Sequence, residues 1–486
     1  MKRSAHLTAI AALWAAACRP APPSIDGAAP TPASSSRLWT PSTSVREAAS
    51  RDTLGAPASL AEGKTLTLAD IVDLALRNSP ATKQSWAQAR SAADVYGASK
   101  GSLYPQFSAG LGLTRQLSSP TPGRPAQERA QFGPSLNLAY TVLDFGGRSG
   151  SIDVARQTVI AANLTHNSAV ENTILEVETA AFSYLSNRAQ RDAAKVALDE
   201  ANRSLDAANE RHRVGLATIA DILQAKTAKS QAELELQTLE GTLMVTRGGL
   251  AVAMGLPANT ELEVPDVPSD DSVHFVTESV DSLIEMAVRN RPELASARAE
   301  AAAAQSQIRV ARSAMLPNLA LTAAGASNGS NVSGYSGQTY SLNFGVQIPV
   351  FSGFSKQYGQ QAAAEQYRAA IAAAAATKQQ VVQQVFTAYY TLRTSTDRVR
   401  TSRDLLASAT QSETVASERY REGVGSIVDL LIAQSALASA RAQAVDARWQ
   451  WRSSLAQLAH DVGVLNARGD TSFAPLTPAP NIRPDQ

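Results

Sequence analysis

The sequence predicts a mixed α/β chain, internally duplicated, in which alternating strands are joined to exceptionally long helices. Three observations predict it. The stretch "ERHRVGLATIADILQA" at 210–225 has a close relative, "ERYREGVGSIVDLLIA", at 418–433. Polar and apolar residues alternate over 135–142 and again over 341–348. Proline is absent from Arg148 to Glu210 and from Lys356 to Glu422.

Composition removes several function classes. The chain has 486 residues, 44% of them hydrophobic, which is ample for a folded core. Its 44 basic and 43 acidic residues leave a formal charge of +1, without the positive field that nucleic-acid binding exploits. One Cys and five scattered His exclude a disulfide framework and argue against a zinc cluster. No cofactor or metal is expected.

The N-terminus reads as an export signal over residues 1–17. Lys2 and Arg3 precede an apolar stretch from Leu7 to Ala17 that is too short to span a bilayer as a helix. Ala15, Ala16, Ala17 and Cys18 resemble a bacterial lipoprotein processing site, with Ala15 where that pattern usually has Leu. The resemblance implies lipidation of Cys18, and Arg19 after it implies transport outward. Ordinary cleavage after a small-x-small sequence is the alternative. Residues 18–63 are rich in Pro, Ala, Ser and Thr and read as a flexible tether. The end of the chain, 464–486, carries four prolines and reads as a flexible tail.

Two repeats fill the space between these ends, at 64–255 and 281–463, joined by a Pro-containing segment at 256–280. "LALRNSP" at 74–80 matches "MAVRNRP" at 286–292, "LYPQF" at 103–107 matches "MLPNL" at 315–319, and "TAAF" at 179–182 matches "TAYY" at 387–390. Two copies indicate a duplication, not a solenoid.

Each repeat opens with a helical segment, Leu68 to about Leu103 or Asp281 to about Leu316, stopped by Pro105 or Pro317. Two strands follow. Leu136, Leu138, Tyr140 and Val142 alternate with polar or small neighbours, as do Leu342, Phe344, Val346 and Ile348. Phe107 to Leu113 and Leu319 to Ala323 alternate more weakly. Runs of roughly 8–11 residues match a tilted membrane strand, although a soluble sheet with one wet face has the same pattern. Four strands cannot close a barrel, and open edges in hydrocarbon cost several kcal/mol per group. Strands that cross a membrane therefore require several chains in one barrel.

The proline-free helices come next, the first on the order of 90 Å long. Ile174, Val177, Ala181 and Tyr184, and equivalently Val382, Val385, Tyr389 and Leu392, step by three and four as in a coiled-coil seam, with an ordinary bundle core as the alternative. Gly215 and Gly423 stop these helices, while Thr218 and Ser426, with Asp221 and Asp429 three residues on, cap the returning ones. The opening stretch recurs because the chain forms two antiparallel hairpins whose tips lie at one end, far from the strands. "FGGRSG" at 145–150 lacks the Lys and Ser or Thr of a nucleotide loop and reads as a strand-to-helix corner.

This architecture, with "VLDFGGR" at 142–148, its degenerate copy "VFSGFSK" at 350–356 and the "VGLAT" tip at 214–218, resembles the TolC-type outer-membrane efflux proteins over residues 64–463. The resemblance implies a homotrimer whose twelve strands form one β-barrel, four strands per chain, continued by a helical tunnel through the periplasm. It implies passive export through the outer membrane, with substrates delivered by an inner-membrane transporter and a periplasmic adaptor protein, and no enzymatic activity. The adaptor is expected at Val214, Gly215, Leu216, Thr218, Gly423 and Ser426. In the family a Tyr and an Arg of the second hairpin hold the tips closed. The matching positions are Tyr420 and Gly425, facing Asp221 and Ala220, so the Arg is missing, and Ile432 replaces the second of a pair of acids. Tyr420 and Asp221 are expected as the remaining latch and Asp429 as a cation-attracting ring; simple helix capping by both Asp residues is the alternative. A lipid-anchored periplasmic coiled-coil scaffold or an adaptor is the rival reading, but neither accounts for two hairpins and four strands together.

Overall fold

A computed structural model describes residues 67–119, 122, 127–265, 278–331, 334 and 336–465. The expected signal peptide, Cys18, the tether, the middle of the connecting segment and the tail from 466 lie outside these residues.

Each opening segment is two helices instead of one: α1 (Leu68–Asn78) and α2 (Pro80–Gly101) in the first repeat, α5 (Val280–Asn290) and α6 (Pro292–Ser313) in the second. The break falls at Ser79 and Arg291, with ψ of 123° and 119°. A residue before proline is pushed out of the helical region, and proline then starts the next helix. The α1 stripe of Ile71, Val72 and Ala75 is buried, as are Leu283 and Ala287 of α5.

The strands are β1 (Gln106–Ser118), β2 (Gln127–Leu143), β3 (Asn318–Ser330) and β4 (Gly337–Gln347), in one antiparallel sheet of order β1-β2-β3-β4. All four are longer than their alternation indicated. Gln127 to Gln131 and Ser327 to Ser330 pair within the ladder although they read as loop, because backbone pairing with the neighbouring strand holds polar residues extended. The β2–β3 pairing joins the two repeats, and β1 and β4 are left as open edges.

After the sheet come α3 (Gly147–Arg213) with its return α4 (Ile219–Ala253), and α7 (Ser355–Arg421) with its return α8 (Ile427–Val462). Both outgoing helices have 67 residues, about 100 Å of rise. In α3 the expected seam is buried at Ile174, Val177, Ala181 and Tyr184. In α7 it runs through Val381, Val385, Ala388 and Leu392, leaving Val382 and Tyr389 half-buried. The shift by one places small Ala388 at the contact in place of Tyr389. The hairpins lie side by side through α3 and α8: Arg441 Nη1 pairs with Glu200 Oε1 at 2.9 Å, and Ser204 Oγ donates to Gln434 Oε1 at 3.0 Å.

Candidate functional site

The tips close with the same geometry. Gly215 and Gly423 both have φ of 79°, a left-handed conformation that glycine adopts without a Cβ penalty. Gly215 N donates to His212 O at 2.9 Å and Leu216 N to Arg211 O at 2.7 Å; Gly423 N donates to Tyr420 O at 3.1 Å and Val424 N to Arg419 O at 3.0 Å. Both are Schellman closures. Thr218 Oγ1 accepts from Asp221 N at 3.3 Å while Asp221 Oδ2 accepts from Thr218 N at 2.7 Å, a full capping box. The second tip has half of it: Ser426 Oγ accepts from Asp429 N at 3.1 Å, and the exposed Asp429 carboxylate makes no hydrogen bond or ion pair among the described residues.

At the end of the hairpins the tips expose apolar side chains. Val214 is 53% and Leu216 69% exposed, and Val424 and Ile432 also face solvent. Gly425 is crowded: a Cβ there would lie 3.1 Å from Arg419 Cβ and from Tyr420 N. The backbone of this turn therefore favours the absence of a side chain where the family pattern has Arg.

Tyr420 is buried, and its hydroxyl has no hydrogen-bond partner. Asp221 is near enough to influence it: burial raises the Tyr420 pKa, the Arg211 charge opposes the shift, and Asp221 adds to it. No hydrogen bond joins Tyr420 to Asp221, whose carboxylate serves the cap instead. At the tips the bridge between hairpins comes from Arg211, which was not anticipated. Its guanidinium donates through Nη1 to the Tyr420 carbonyl and lies 4.7 Å from the centroid of the Tyr420 ring. The signal was present in the sequence, since Arg211 stands in the last turn of the helix that Gly215 ends, but its partner lies in the other repeat.

A second polar cluster was also missed, where α3, α6, α7 and α8 meet. Arg291, 5% exposed, directs Nε to Glu293 Oε2 at 2.9 Å, Nη1 to Asp461 Oδ1 at 3.2 Å and Nη2 to Gln384 Oε1 at 3.1 Å. His460 bridges Asp461 at 3.0 Å and Asn172 at 2.9 Å. Burial works against the Glu293 charge, but Ser168 Oγ, donating at 2.7 Å, and Arg291 hold its pKa below the usual range. Glu171 and Glu178 on α3 are instead raised to about 7, both chiefly by burial; at Glu171 the Glu293 charge adds and Arg291 opposes. The first repeat has Ser79 where Arg291 stands, so duplication alone did not announce the cluster.

The sheet has two chemically different faces. The pairs Phe107↔Leu138, Leu113↔Phe132, Tyr140↔Leu321, Leu321↔Phe344 and Leu319↔Val346 lie on one face. Ser108↔Asn137, Thr114↔Gln131, Asn137↔Ala324 and Thr322↔Asn343 lie on the other. Leu111 is 87% and Leu342 76% exposed, so the apolar face has no cover within the chain. A continuous exposed apolar sheet is incompatible with water and matches hydrocarbon. One ion pair, Arg115 with Glu128, shares that face close to the β1–β2 connection.

Comparison with known proteins matches these features. A family model described as Outer membrane efflux protein covers residues 71–256 and 283–464. Protein CyaE of Bordetella pertussis is 27% identical over 379 residues, 77% of this chain and 79% of that protein. The pyoverdine export outer membrane protein OpmQ of Pseudomonas aeruginosa is 27% identical over 403 residues, 79% of this chain and 80% of that protein. A crystal structure of a membrane protein from Pseudomonas aeruginosa superposes with a TM-score of 0.74 at 23% identity, covering 82% of this chain and 93% of that one, which carries the fold.

Proposed function

Because the chain belongs to the outer membrane efflux protein family, we propose that it is the outer-membrane channel of a tripartite efflux or secretion system. The observation that carries the reading is the four-stranded sheet with one uncovered apolar face and two unpaired edges, β1 and β4. In hydrocarbon each unpaired backbone group costs several kcal/mol, so the sheet needs further strands from other copies. Three copies give twelve strands, and the polar face then lines the lumen. The helical hairpins extend that lumen into the periplasm and end at the two tips. OpmQ, an export protein by name, supports the direction of transport. Conduction is passive on this reading: the transporter supplies energy and the chain supplies a wall.

Each part of the tip has a role here. Val214, Gly215, Leu216 and Thr218, with Gly423 and Ser426, present exposed apolar side chains and rigid turns to a periplasmic adaptor. Arg211 and Tyr420 clasp the two hairpins and hold the entrance closed, with Asp221 fixing the adjacent helix start. Asp429, whose carboxylate takes no part in the cap, contributes one carboxylate per chain to an acidic ring. Cys18 is the lipid attachment that tethers the N-terminus to the same membrane. The test of the whole is transport: purified protein in planar bilayers is expected to give discrete ionic channels, and a cell lacking its own channel is expected to regain export when this chain is supplied with its transporter and adaptor. Protein that inserts but neither conducts nor restores export would remove the channel reading. The lipid-anchored scaffold and adaptor alternatives lose support from the two-faced sheet, for which neither has a use.

A further inference from the structure

The two strand-to-helix corners are built alike in backbone and unlike in chemistry. Each has two consecutive left-handed residues, one Gly and one Phe, in opposite order: Phe145 and Gly146 with φ of 49° and 99°, then Gly353 and Phe354 with φ of 61° and 63°. A left-handed Phe is strained, because its Cβ crowds the neighbouring carbonyl. At the first corner the cation has partners within the chain, with its Nε alone left without a hydrogen bond. Arg148 pairs with Asp144 at 3.5 Å and donates to the carbonyls of Ser102 and Val142 at 3.3 and 3.2 Å. At the second corner Ser352 stands for the Asp and Lys356 for the Arg, and the Lys356 ammonium has no hydrogen bond or ion pair among the described residues. Around it Val350 is 91%, Phe351 75%, Phe354 60% and Tyr358 68% exposed, with the Phe351 and Phe354 rings packed edge-on at 5.6 Å.

Exposed aromatic surface is a cost in water, and it is relieved where the surroundings are apolar. The corner is continuous with the uncovered face of β4, along which Tyr340, Leu342, Phe344 and Val346 lead through Ile348 to Val350. Aromatic rings with a nearby cation at the end of a membrane-facing strand have the composition of a bilayer interface, where rings sit at headgroup level and a cation meets phosphate.

We propose that the corner between β4 and α7 is a phospholipid seat, in which Phe351 and Phe354 lie among the upper acyl chains of the leaflet nearest the helices and Lys356 pairs with a lipid phosphate. The seat rests on the reading of the sheet as a membrane barrel, and the test separates the two. Single tryptophans are placed at Phe354 and, as a control in mid-strand, at Leu342, in full-length protein reconstituted into phosphatidylglycerol-containing vesicles. Emission is corrected for the native Trp residues with the unsubstituted protein. Leu342→Trp is expected to lose emission most to lipids brominated deep in the acyl chain. Phe354→Trp is expected to lose it most to lipids brominated next to the glycerol, and to resist iodide. Adding Lys356→Glu to Phe354→Trp is expected to reduce quenching by brominated phosphatidylglycerol; undiminished quenching would overturn the phosphate contact. Quenching at 342 with none at 354 overturns the seat and leaves the barrel, with iodide sensitivity at 354 indicating water and its absence indicating cover by a second copy. If Phe354→Trp does not fold, Phe351→Trp reads the same corner. No quenching at 342 would remove the barrel reading itself.

Discussion

The guanidinium of Arg211 lies 4.7 Å from the centre of the Tyr420 ring and donates a hydrogen bond to the Tyr420 carbonyl, so a side chain of the first hairpin grips both the ring and the backbone of the second. The contact uses the ring and the main chain of Tyr420, while the phenolic oxygen is buried without a partner. Losing the clasp, as in Arg211→Ala, removes about 1–2 kcal/mol and is expected to shift the closed–open ratio about 5–30-fold toward open. Single-channel recording reads this as higher mean conductance. Tyr420→Phe keeps the ring and the carbonyl and is expected to conduct like the unsubstituted channel. A raised conductance in Tyr420→Phe would favour instead a phenol-to-Asp221 latch. In the same recordings Asp429→Asn is expected to lower cation selectivity, and unchanged selectivity would dismiss the acidic ring.

Leu216 is 69% exposed on a turn whose backbone is already fixed by two hydrogen bonds, so its side chain has no structural duty inside the chain. Leu216→Glu is expected to reduce adaptor crosslinking and export about ten-fold or more, since a carboxylate would have to be desolvated in the contact. The yield of assembled channel should not change. Full export with this substitution would reduce the tip to a helix stop.

Buried Glu178, 2% exposed, and Glu171 both titrate near 7 in the folded protein, above the ordinary 4.5. Folded protein thus holds these protons more tightly than unfolded protein, and stability from this source falls as pH rises from about 4.5 to about 7. Glu178→Gln keeps the shape and removes the charge. It is expected to stabilise the protein by about 1–3 kcal/mol at pH 8 and to do little at pH 5, read as thermal unfolding temperatures at the two values. A pH dependence identical to the unsubstituted protein would contradict the assignment.

Cys18 is the only cysteine of the chain. Cells fed labelled fatty acid are expected to label the protein, and Cys18→Ala should abolish the label while leaving the barrel inserted, because the strands attach to the membrane on their own. Persistent labelling of the variant would place the lipid elsewhere, and an unlabelled unsubstituted protein would remove the anchor.

Most of the architecture was legible because its signals are local. Proline-free length marked α3 and α7, period two marked the strands, and glycine followed by Thr or Ser with Asp marked both turns. The parts that were not legible depend on partners distant in sequence. Arg211 and Tyr420 belong to different repeats, and Arg291 meets Asp461 at a break between helices. Gln127 to Gln131 extend β2 because of a ladder that no hydrophobic alternation announces. The seam in α7 moved by one residue because packing selected Ala388, and periodicity alone admits either neighbour.

The central claim is that the open edges of β1 and β4 close on other copies, and the mass of the conducting particle tests it most directly. Native mass spectrometry of channel-active protein extracted from membranes is expected to show three copies of the processed chain, unprocessed mass 51.1 kDa, with no smaller species that conducts. A single copy that forms a closed, conducting barrel would contradict the account.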